Sequence, residues 1–245
     1  MQLKPMLFAA LAAATLASAA RADILTFNAS GSGNDGPLSA EATITTSADQ
    51  VVVDLTSLIT DPTSIGQEVS SIEFMLSDTP SSADLTSSTG TLINIATDGT
   101  VTPATGTISH WGVALDSSTG QITLETAGNA ALGGQPIDLI IGTAASYPNA
   151  NTSINVHNPS IQGTGTFTLS VPGVTADTTV SNVVFNFGTG PDTFLPGTTS
   201  GGPGTTTGGP GTTTGGTIPE PATVALLGLG LTIIGLGRRF SARRG

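Results

Sequence analysis

Few side chains of this 245-residue sequence are suited to catalysis, and none of them falls in a recognisable catalytic motif. The absence of Cys excludes thiol nucleophiles, disulfides and Cys-ligated zinc or iron–sulfur sites. The two histidines, His110 and His157, are too few for a His-rich zinc site unless carboxylates complete it. No Gly-x-Ser-x-Gly segment, the signature of one large class of serine hydrolases, occurs. We therefore expect no catalytic residues, no metal site and no cofactor.

The carboxylates leave glycoside hydrolysis open, because sixteen acids lie between Asp23 and Thr217 and two facing carboxylates are enough for that chemistry. Sugar-hydrolysing sites usually hold their substrate against aromatic rings, and this stretch has a single Trp and a single Tyr. We interpret the protein as not an enzyme, and we name Trp111 and Tyr147 as possible ligand contacts. Acidic loops would also suit Ca²⁺, although no EF-hand spacing is present.

The basic residues are confined to the two ends of the chain. The formal net charge is −11, and no Lys or Arg lies between Asp23 and Thr217. A nucleic-acid binder needs a basic stripe that neutralises phosphates, so nucleic acid is excluded as a partner. The six basic residues are Lys4, Arg21, Arg238, Arg239, Arg243 and Arg244.

The N-terminus has the three regions of a secretory signal peptide. Lys4 precedes an apolar run from Met6 to Ala20, and small residues follow up to Ala22. We predict a signal peptide over residues 1–22 with cleavage after Ala22. A buried N-terminal helix is the alternative, but polar residues do not recur in this run at helical spacing.

The C-terminus carries a second apolar run, from Ala222 to Gly237, that ends abruptly at Arg238 and Arg239. As a helix its sixteen residues would extend about 24 Å, slightly less than a hydrocarbon core of about 30 Å. Snorkelling arginines can make up the difference, so we predict a transmembrane helix. Arg238, Arg239, Arg243 and Arg244 would form a cytoplasmic stop, which leaves the rest of the chain outside. A core helix of a globular domain is the alternative.

Two prolines enclose one glutamate just ahead of this apolar run, at Pro219, Glu220 and Pro221. Each proline holds the residue before it in an extended conformation, which a processing enzyme at the membrane surface can grip. The order Pro-Glu-Pro, short apolar helix and Arg cluster over residues 218–245 resembles the PEP-CTERM sorting signal of Gram-negative envelope proteins, an element also labelled an ice-binding-protein C-terminus. The resemblance implies that an exosortase, an integral-membrane processing enzyme, is a partner, and that the inner membrane holds the precursor. It also implies a cell-surface or extracellular destination near an extracellular polysaccharide matrix.

A tract of 22 residues, 196–217, precedes the signal and contains only Gly, Pro, Ser and Thr. It reads as three heptads of the form Gly-Thr-Thr-Thr-Gly-Gly-Pro, with small variations. Such a composition cannot bury a core, so we predict a flexible linker with a reach of roughly 26 Å. Its threonines are candidates for O-glycosylation.

The body, residues 23–195, has the pattern of β structure throughout. Apolar and β-branched residues alternate with Thr, Ser and Asn, as in Gly165-Thr166-Phe167-Thr168-Leu169, and Gly, Asn and Asp recur between such runs. No amphipathic helix that could serve as a crossover is evident, so the strands should be mostly antiparallel. We predict one all-β ectodomain with a β-sandwich or jelly-roll-like fold.

These observations predict an exported, non-catalytic protein of the cell surface or extracellular matrix, with a structural or adhesive ectodomain. The alternative is a carbohydrate- or ice-binding module that uses the same export route, with extracellular polysaccharide as its partner. Two isolated Thr-x-Thr units, at 43–45 and 166–168, resemble those of ice-binding faces, but such faces need regular ranks of these units, so we interpret both as ordinary strand positions.

Overall fold

The structure, a computed structural model, describes residues 22–126, 136–190 and 193–200. These residues form thirteen strands, one 3₁₀ turn and one helix, α1, of four residues. The strands are β1 (Asp23–Gly33), β2 (Gly36–Ser47), β3 (Gln50–Ser57), β4 (Val69–Leu76), β5 (Asp84–Ile95), β6 (Val101–Pro103), β7 (Gly112–Asp116), β8 (Gln121–Glu125), β9 (Ile140–Ile141), β10 (Ser160–Ser170), β11 (Val180–Phe187), β12 (Thr193–Pro196) and β13 (Thr198–Thr199). The 3₁₀ turn is Ile65–Gln67 and α1 is Thr152–Asn155.

The period-two pattern of the sequence becomes the two faces of each strand. In β2 the apolar residues Leu38, Ala40, Ala42 and Ile44 are buried, and the polar residues between them are partly exposed. Successive side chains of a strand point to opposite faces, so this alternation turns one face of β2 to the core. The same arrangement repeats in β3, where Val51, Val53 and Leu55 are buried.

The strands are hydrogen-bonded into one mixed sheet with the main order β12-β11-β4-β9-β10-β3-β2-β1-β13. Strands β5, β6, β7 and β8 branch off this path. The parallel pairing in the described structure is that of β9 with β10; the other strand pairs are antiparallel. The predicted all-β, mostly antiparallel body is thus confirmed, whereas the sheet is continuous where two separate sheets were expected.

The two-residue strand β9 makes the sheet continuous. Ile140 pairs with Ile161 of β10 on one side and with Val69 of β4 on the other. These few pairs connect the β1-β2-β3-β10 half of the sheet to the β4-β8-β11 half. A strand this short has no periodicity, and therefore the sequence does not reveal the connection.

One large core contains buried side chains from both halves of the sheet. It includes Leu38 and Phe167 from one half, and Phe74, Leu124 and Phe185 from the other. A smaller cluster lies around α1 and contains Ile93, Ile95, Ile141, Tyr147 and Ile154. Both halves therefore turn their apolar faces to a common interior.

The folded body continues past the predicted boundary at residue 195. We call Thr193–Ser200 the exit segment. Its first strand, β12, pairs with β11, with Leu195 opposite Phe185, and its second strand, β13, pairs with β1, with Thr199 opposite Phe27. The first residues of the predicted linker are thus part of the sheet.

The other predicted segments lie outside the described residues. These are the signal peptide at 1–22, except for Ala22 itself, the remainder of the linker, and the sorting signal at 218–245 with its transmembrane helix. Within the described ranges no helix is long and apolar enough to cross a membrane.

Candidate functional site

Trp111, a predicted ligand contact, is a core residue. It lies just ahead of β7, is 4% exposed, and packs against Phe167 with 4.4 Å between ring centroids. Its indole Nε1–H donates a hydrogen bond of 2.8 Å to the backbone carbonyl of Asp138. The polar atom of the ring is thus satisfied inside the protein, as is usual for a buried Trp.

Tyr147, the second predicted contact, is fully buried. Its hydroxyl donates to the carbonyl of Gly142 at 2.6 Å and accepts from Nε2 of Gln162 at 3.0 Å. Burial is the main reason that the pKa of Tyr147 is raised above its ordinary value. A sugar cannot stack on Trp111 or Tyr147 unless the core opens.

His110 is held by a buried carboxylate that the sequence analysis did not single out. Asp138 is 1% exposed, and its Oδ2 accepts from the backbone N–H groups of Ser109 and His110 at 3.0 and 3.2 Å. The same oxygen lies 3.2 Å from Nδ1 of His110. Asp138 has a φ of 63°, an unusual conformation for a residue other than Gly. The carboxylate therefore fixes both the loop and the imidazole.

This arrangement differs from a Ser-His-Asp catalytic triad. The hydroxyl of Ser109 lies 3.3 Å from Nδ1 of His110, the nitrogen that also faces Asp138. In a triad the carboxylate and the serine contact different ring nitrogens, so that the ring can pass a proton between them. Ser109, His110 and Asp138 consequently lack the geometry for nucleophilic catalysis.

His157 is also structural. It is 5% exposed, and its Nδ1 donates to the carbonyl of Pro136 at 2.5 Å. The described residues contain no group of three or more His, Asp or Glu side chains that could hold a metal ion. His110 and His157 are each held by separate partners.

Glu68 is the most unusual ionisable group of the body. It follows the 3₁₀ turn, is fully buried, and its Oε1 has no hydrogen-bond partner. Its Oε2 accepts from the hydroxyl of Ser160 at a long 3.4 Å. Burial raises the pKa of Glu68 to about 8, only partly opposed by the bond from Ser160. The carboxyl is thus protonated at neutral pH.

A pair of carboxyls, those of Glu73 and Glu125, lies on the partly exposed face of β4 and β8. Glu73 is opposite Thr123 and Glu125 is opposite Ser71, which makes the two glutamates diagonal neighbours on one face. Glu73 accepts from Nε2 of Gln121 at 2.5 Å and from Nδ2 of Asn186 at 3.1 Å. Burial, and secondly the charge of Glu73, raise the pKa of Glu125.

A groove of about 510 Å³ lies beside the exit segment, between that segment and strands β1 and β2. Its walls combine polar side chains with a few apolar ones, and none of its lining residues is aromatic. The lining residues are Asn28, Ala29, Ser30, Ser39, Leu195, Pro196 and Thr198.

Neither Asp138 nor Glu68 was predicted from the sequence as a notable residue. Asp138 is the one charged residue in the apolar run Pro136–Ile141, and an isolated acid in such a run is a signal that could have been used. Glu68 stands among Gln67, Val69 and Ser70, where nothing in the pattern separates a buried carboxyl from an exposed one.

The predicted sorting residues Pro219, Glu220 and Pro221, and the stop residues Arg238, Arg239, Arg243 and Arg244, lie outside the described residues. Comparison with known families bears directly on them. Residues 217–244 match the PEP-CTERM protein-sorting motif. The chain carries a PEP-CTERM sorting signal. This confirms the resemblance that was based on the order Pro-Glu-Pro, apolar run and Arg cluster.

The PEP-CTERM signal indicates export through a membrane-anchored precursor, with exosortase as the processing partner. The match covers the 28 residues from 217 to 244 and does not extend to the β body. No curated protein and no solved structure matches the chain.

Proposed function

We propose that this chain is an exported structural or adhesive protein of the cell surface or extracellular matrix, with a non-catalytic ectodomain. The PEP-CTERM signal at residues 217–244 is the observation that carries the proposal. A sorting signal specifies a destination and not an activity, so the role of the body has to be argued from the body itself.

The described side chains of the body support a structural role. The polar residues best suited to chemistry, His110, Asp138 and His157, are engaged in hydrogen bonds that fix loops. The large aromatic rings Trp111 and Tyr147 are in the core. Sixteen acids without a base give the body a uniformly negative charge, which favours solubility outside the cell.

The ectodomain is best described as a β-sandwich whose two halves remain hydrogen-bonded through β9. The common core supports this description, because Phe167 of β10 and Phe74 of β4 belong to one buried cluster. Aligned sandwiches pack two inner faces in this way.

We further propose that residues 1–22 are a cleaved signal peptide and that the C-terminal apolar run is a transmembrane helix. The mature protein would then be located in the extracellular matrix. The first strand begins at Asp23, directly after the predicted cleavage position. Cleavage after Ala22 would therefore leave β1 whole. The apolar run Ala222–Gly237 would hold the precursor in the inner membrane until the exosortase acts.

The experiment compares the producing strain with two variants, one without the protein and one with Pro219→Ala, Glu220→Ala and Pro221→Ala. Protein in the matrix fraction and cohesion of the matrix are measured. We expect both variants to lose matrix protein and cohesion together. Normal cohesion without the protein would contradict a structural role.

Binding of extracellular polysaccharide is the second candidate, and the groove beside the exit segment is the observation that favours it. Asn28, Ser30 and Ser39 offer amide and hydroxyl groups of the kind that contact sugars. A glycan array probed with the wild type and with Ser30→Leu tests this candidate. Binding that the substitution abolishes would support it, and an array without binding would reject it.

A further inference from the structure

The edge of β1 is occupied by a short piece of the chain's own repeat. Thr198 lies opposite Asn28 and Thr199 opposite Phe27, and the N–H of Ser200 donates to the carbonyl of Thr26 at 3.0 Å. Side chains reinforce this pairing. Thr198 Oγ1 donates to the carbonyl of Asn28 at 3.1 Å, and Nδ2 of Asn28 donates to Oγ of Ser200 at 2.6 Å.

The segment that makes these contacts occurs three times in the chain. Each copy is Gly-Thr-Thr followed by a residue with a hydroxyl group, so each offers the backbone and side-chain groups that β1 uses. The copies are Gly197-Thr198-Thr199-Ser200, Gly204-Thr205-Thr206-Thr207 and Gly211-Thr212-Thr213-Thr214. The short sequence that pairs with β1 is thus present in two further, nearly identical copies.

Detaching β13 from β1 would disturb little else. Both residues of β13 are exposed and belong to no core cluster. The chain before them stays attached to the other half of the sheet, because Leu195 pairs with Phe185 and the N–H of Gly197 donates to Val183 at 2.8 Å. Exchange at the β1 edge thus needs no rearrangement of the core.

We propose that the β1 edge is a docking site for the Gly-Thr-Thr repeat of a second copy of this chain. The repeat of one copy adds as a strand to β1 of the next and replaces that copy's own Thr198 and Thr199. The contact joins two different parts of the chain, so it links copies head-to-tail into open chains or closed rings. The inference does not depend on the destination of the protein, and its failure would leave the proposed function untouched.

The chain's own first repeat competes for the site, with an effective concentration on the order of millimolar for so short a connection. Linking between copies therefore becomes appreciable only where the local concentration of the protein is comparably high. In dilute solution the β1 edge keeps its own repeat and the copies do not associate at this site. In concentrated solution they do.

Cysteine cross-linking tests the proposal directly, since the chain has no native Cys. Two full-length variants are purified in detergent, one with Asn28→Cys and one with Thr205→Cys, then mixed and mildly oxidised. Thr205 is seven residues after Thr198 and would lie opposite Asn28 in the register seen for the first repeat. The matched control replaces Thr205→Cys with Thr206→Cys, whose side chain would face the other side of the strand.

We expect roughly tenfold more mixed disulfide dimer with Thr205→Cys than with Thr206→Cys, because adjacent side chains of a strand point to opposite faces. A chain with both Asn28→Cys and Thr198→Cys should form an internal disulfide, which verifies that the edge is folded. Equal dimer yields from the two variants, or no mixed dimer at any concentration, would overturn the proposal.

A second measurement tests the competition. Thr198→Pro and Thr199→Pro are added to the Asn28→Cys chain, which prevents its own repeat from pairing because proline lacks the N–H. We expect the yield of mixed dimer to rise several-fold at the same protein concentration. An unchanged or lower yield shows that the two repeats do not share the site, and rejects the exchange.

Discussion

Burying a carboxyl group is costly when no basic residue is near to pair with it, and Glu68 lies in a body that contains no Lys or Arg. Burial raises the pKa of Glu68 to about 8, so the carboxyl group is protonated, and therefore uncharged, at neutral pH. In the unfolded chain the same group ionises near its ordinary value of 4.5. Folding therefore takes up a proton at every pH between these two values.

Glu68→Gln should remove a pH dependence of stability. The folded state binds one more proton than the unfolded state between pH 4.5 and 8. The contribution of Glu68 to the free energy of unfolding is therefore most favourable below pH 4.5 and is lost as the pH rises towards 8. Each unit of raised pKa corresponds to about 1.4 kcal/mol, so the uncharged variant should be more stable by on the order of a few kcal/mol near neutral pH. Denaturant unfolding of both proteins between pH 4.5 and 8 measures the difference. A constant difference across this range would show that Glu68 does not titrate in the folded state as described.

Trp111→Ala should destabilise the body by about 3–5 kcal/mol, because the substitution leaves a large cavity against Phe167. It also removes the bond from the indole to Asp138. Phe194→Ala is the matched control, since Phe194 is 64% exposed and its removal should change stability by less than about 1 kcal/mol. Thermal unfolding followed by circular dichroism provides the comparison. Similar small losses for both variants would mean that Trp111 is not the core residue seen here.

The elements of the body depend on close contacts at the short strand β9. Gly142 follows β9 directly, and a Cβ at this position would overlap the backbone carbonyl of Ile59. Backbone cannot move aside as a side chain can, so a side chain at position 142 would strain the end of β9, the strand that joins the two halves of the sheet.

Gly142→Ala should therefore lower the free energy of unfolding by at least about 1–3 kcal/mol, the usual effect of overpacking. Gly31→Ala is the control, because its Cβ would meet only the end of the Leu195 side chain, at 2.9 Å, and that side chain can turn away. Urea unfolding of the two variants compares them. A Gly142→Ala protein as stable as the control would show that β9 and the Ile59 carbonyl are not in close contact.

Strands with a long alternating pattern were predictable, and the shortest strands were not. β2, β3, β8 and β10 largely follow the period of two that their sequences show, because each has one face in the core. Strand β9 has two residues, both buried, and its place is decided by partners far away in the sequence. β13 consists of two threonines in a Gly-rich tract, where composition alone indicates a linker.

Candidate site residues were harder to place than strands for a related reason. Residue type alone identified Trp111, Tyr147, His110 and His157 as candidates for ligand binding or catalysis. Residue type does not reveal whether a side chain is buried. Trp111 and Tyr147 became core residues because their polar atoms find partners in Asp138 and Gly142. The sorting signal was predictable because Pro-Glu-Pro, apolar run and Arg cluster are contiguous in sequence and need no tertiary contacts.

At the scale of the whole molecule, charge and hydropathy divide the chain into an acidic body and two basic, apolar ends. The lone charged residues near the start, Lys4 and Arg21, enclose one apolar run, and Arg238 and Arg239 close the other. We propose that the second run serves only the precursor, on which the exosortase acts. The β body would then leave the membrane attached to its Gly- and Thr-rich linker.

The central claim is that the C-terminal signal is removed during export. Cells with and without the exosortase are fractionated, and the protein is detected through an epitope tag placed in the linker. With the enzyme, the extracellular form should be smaller by about 2–3 kDa, the share of the 24.2 kDa chain that follows the Pro-Glu-Pro segment. Without the enzyme, the longer form should stay in the inner membrane. Protein of one size in the same fraction of both strains would contradict the account.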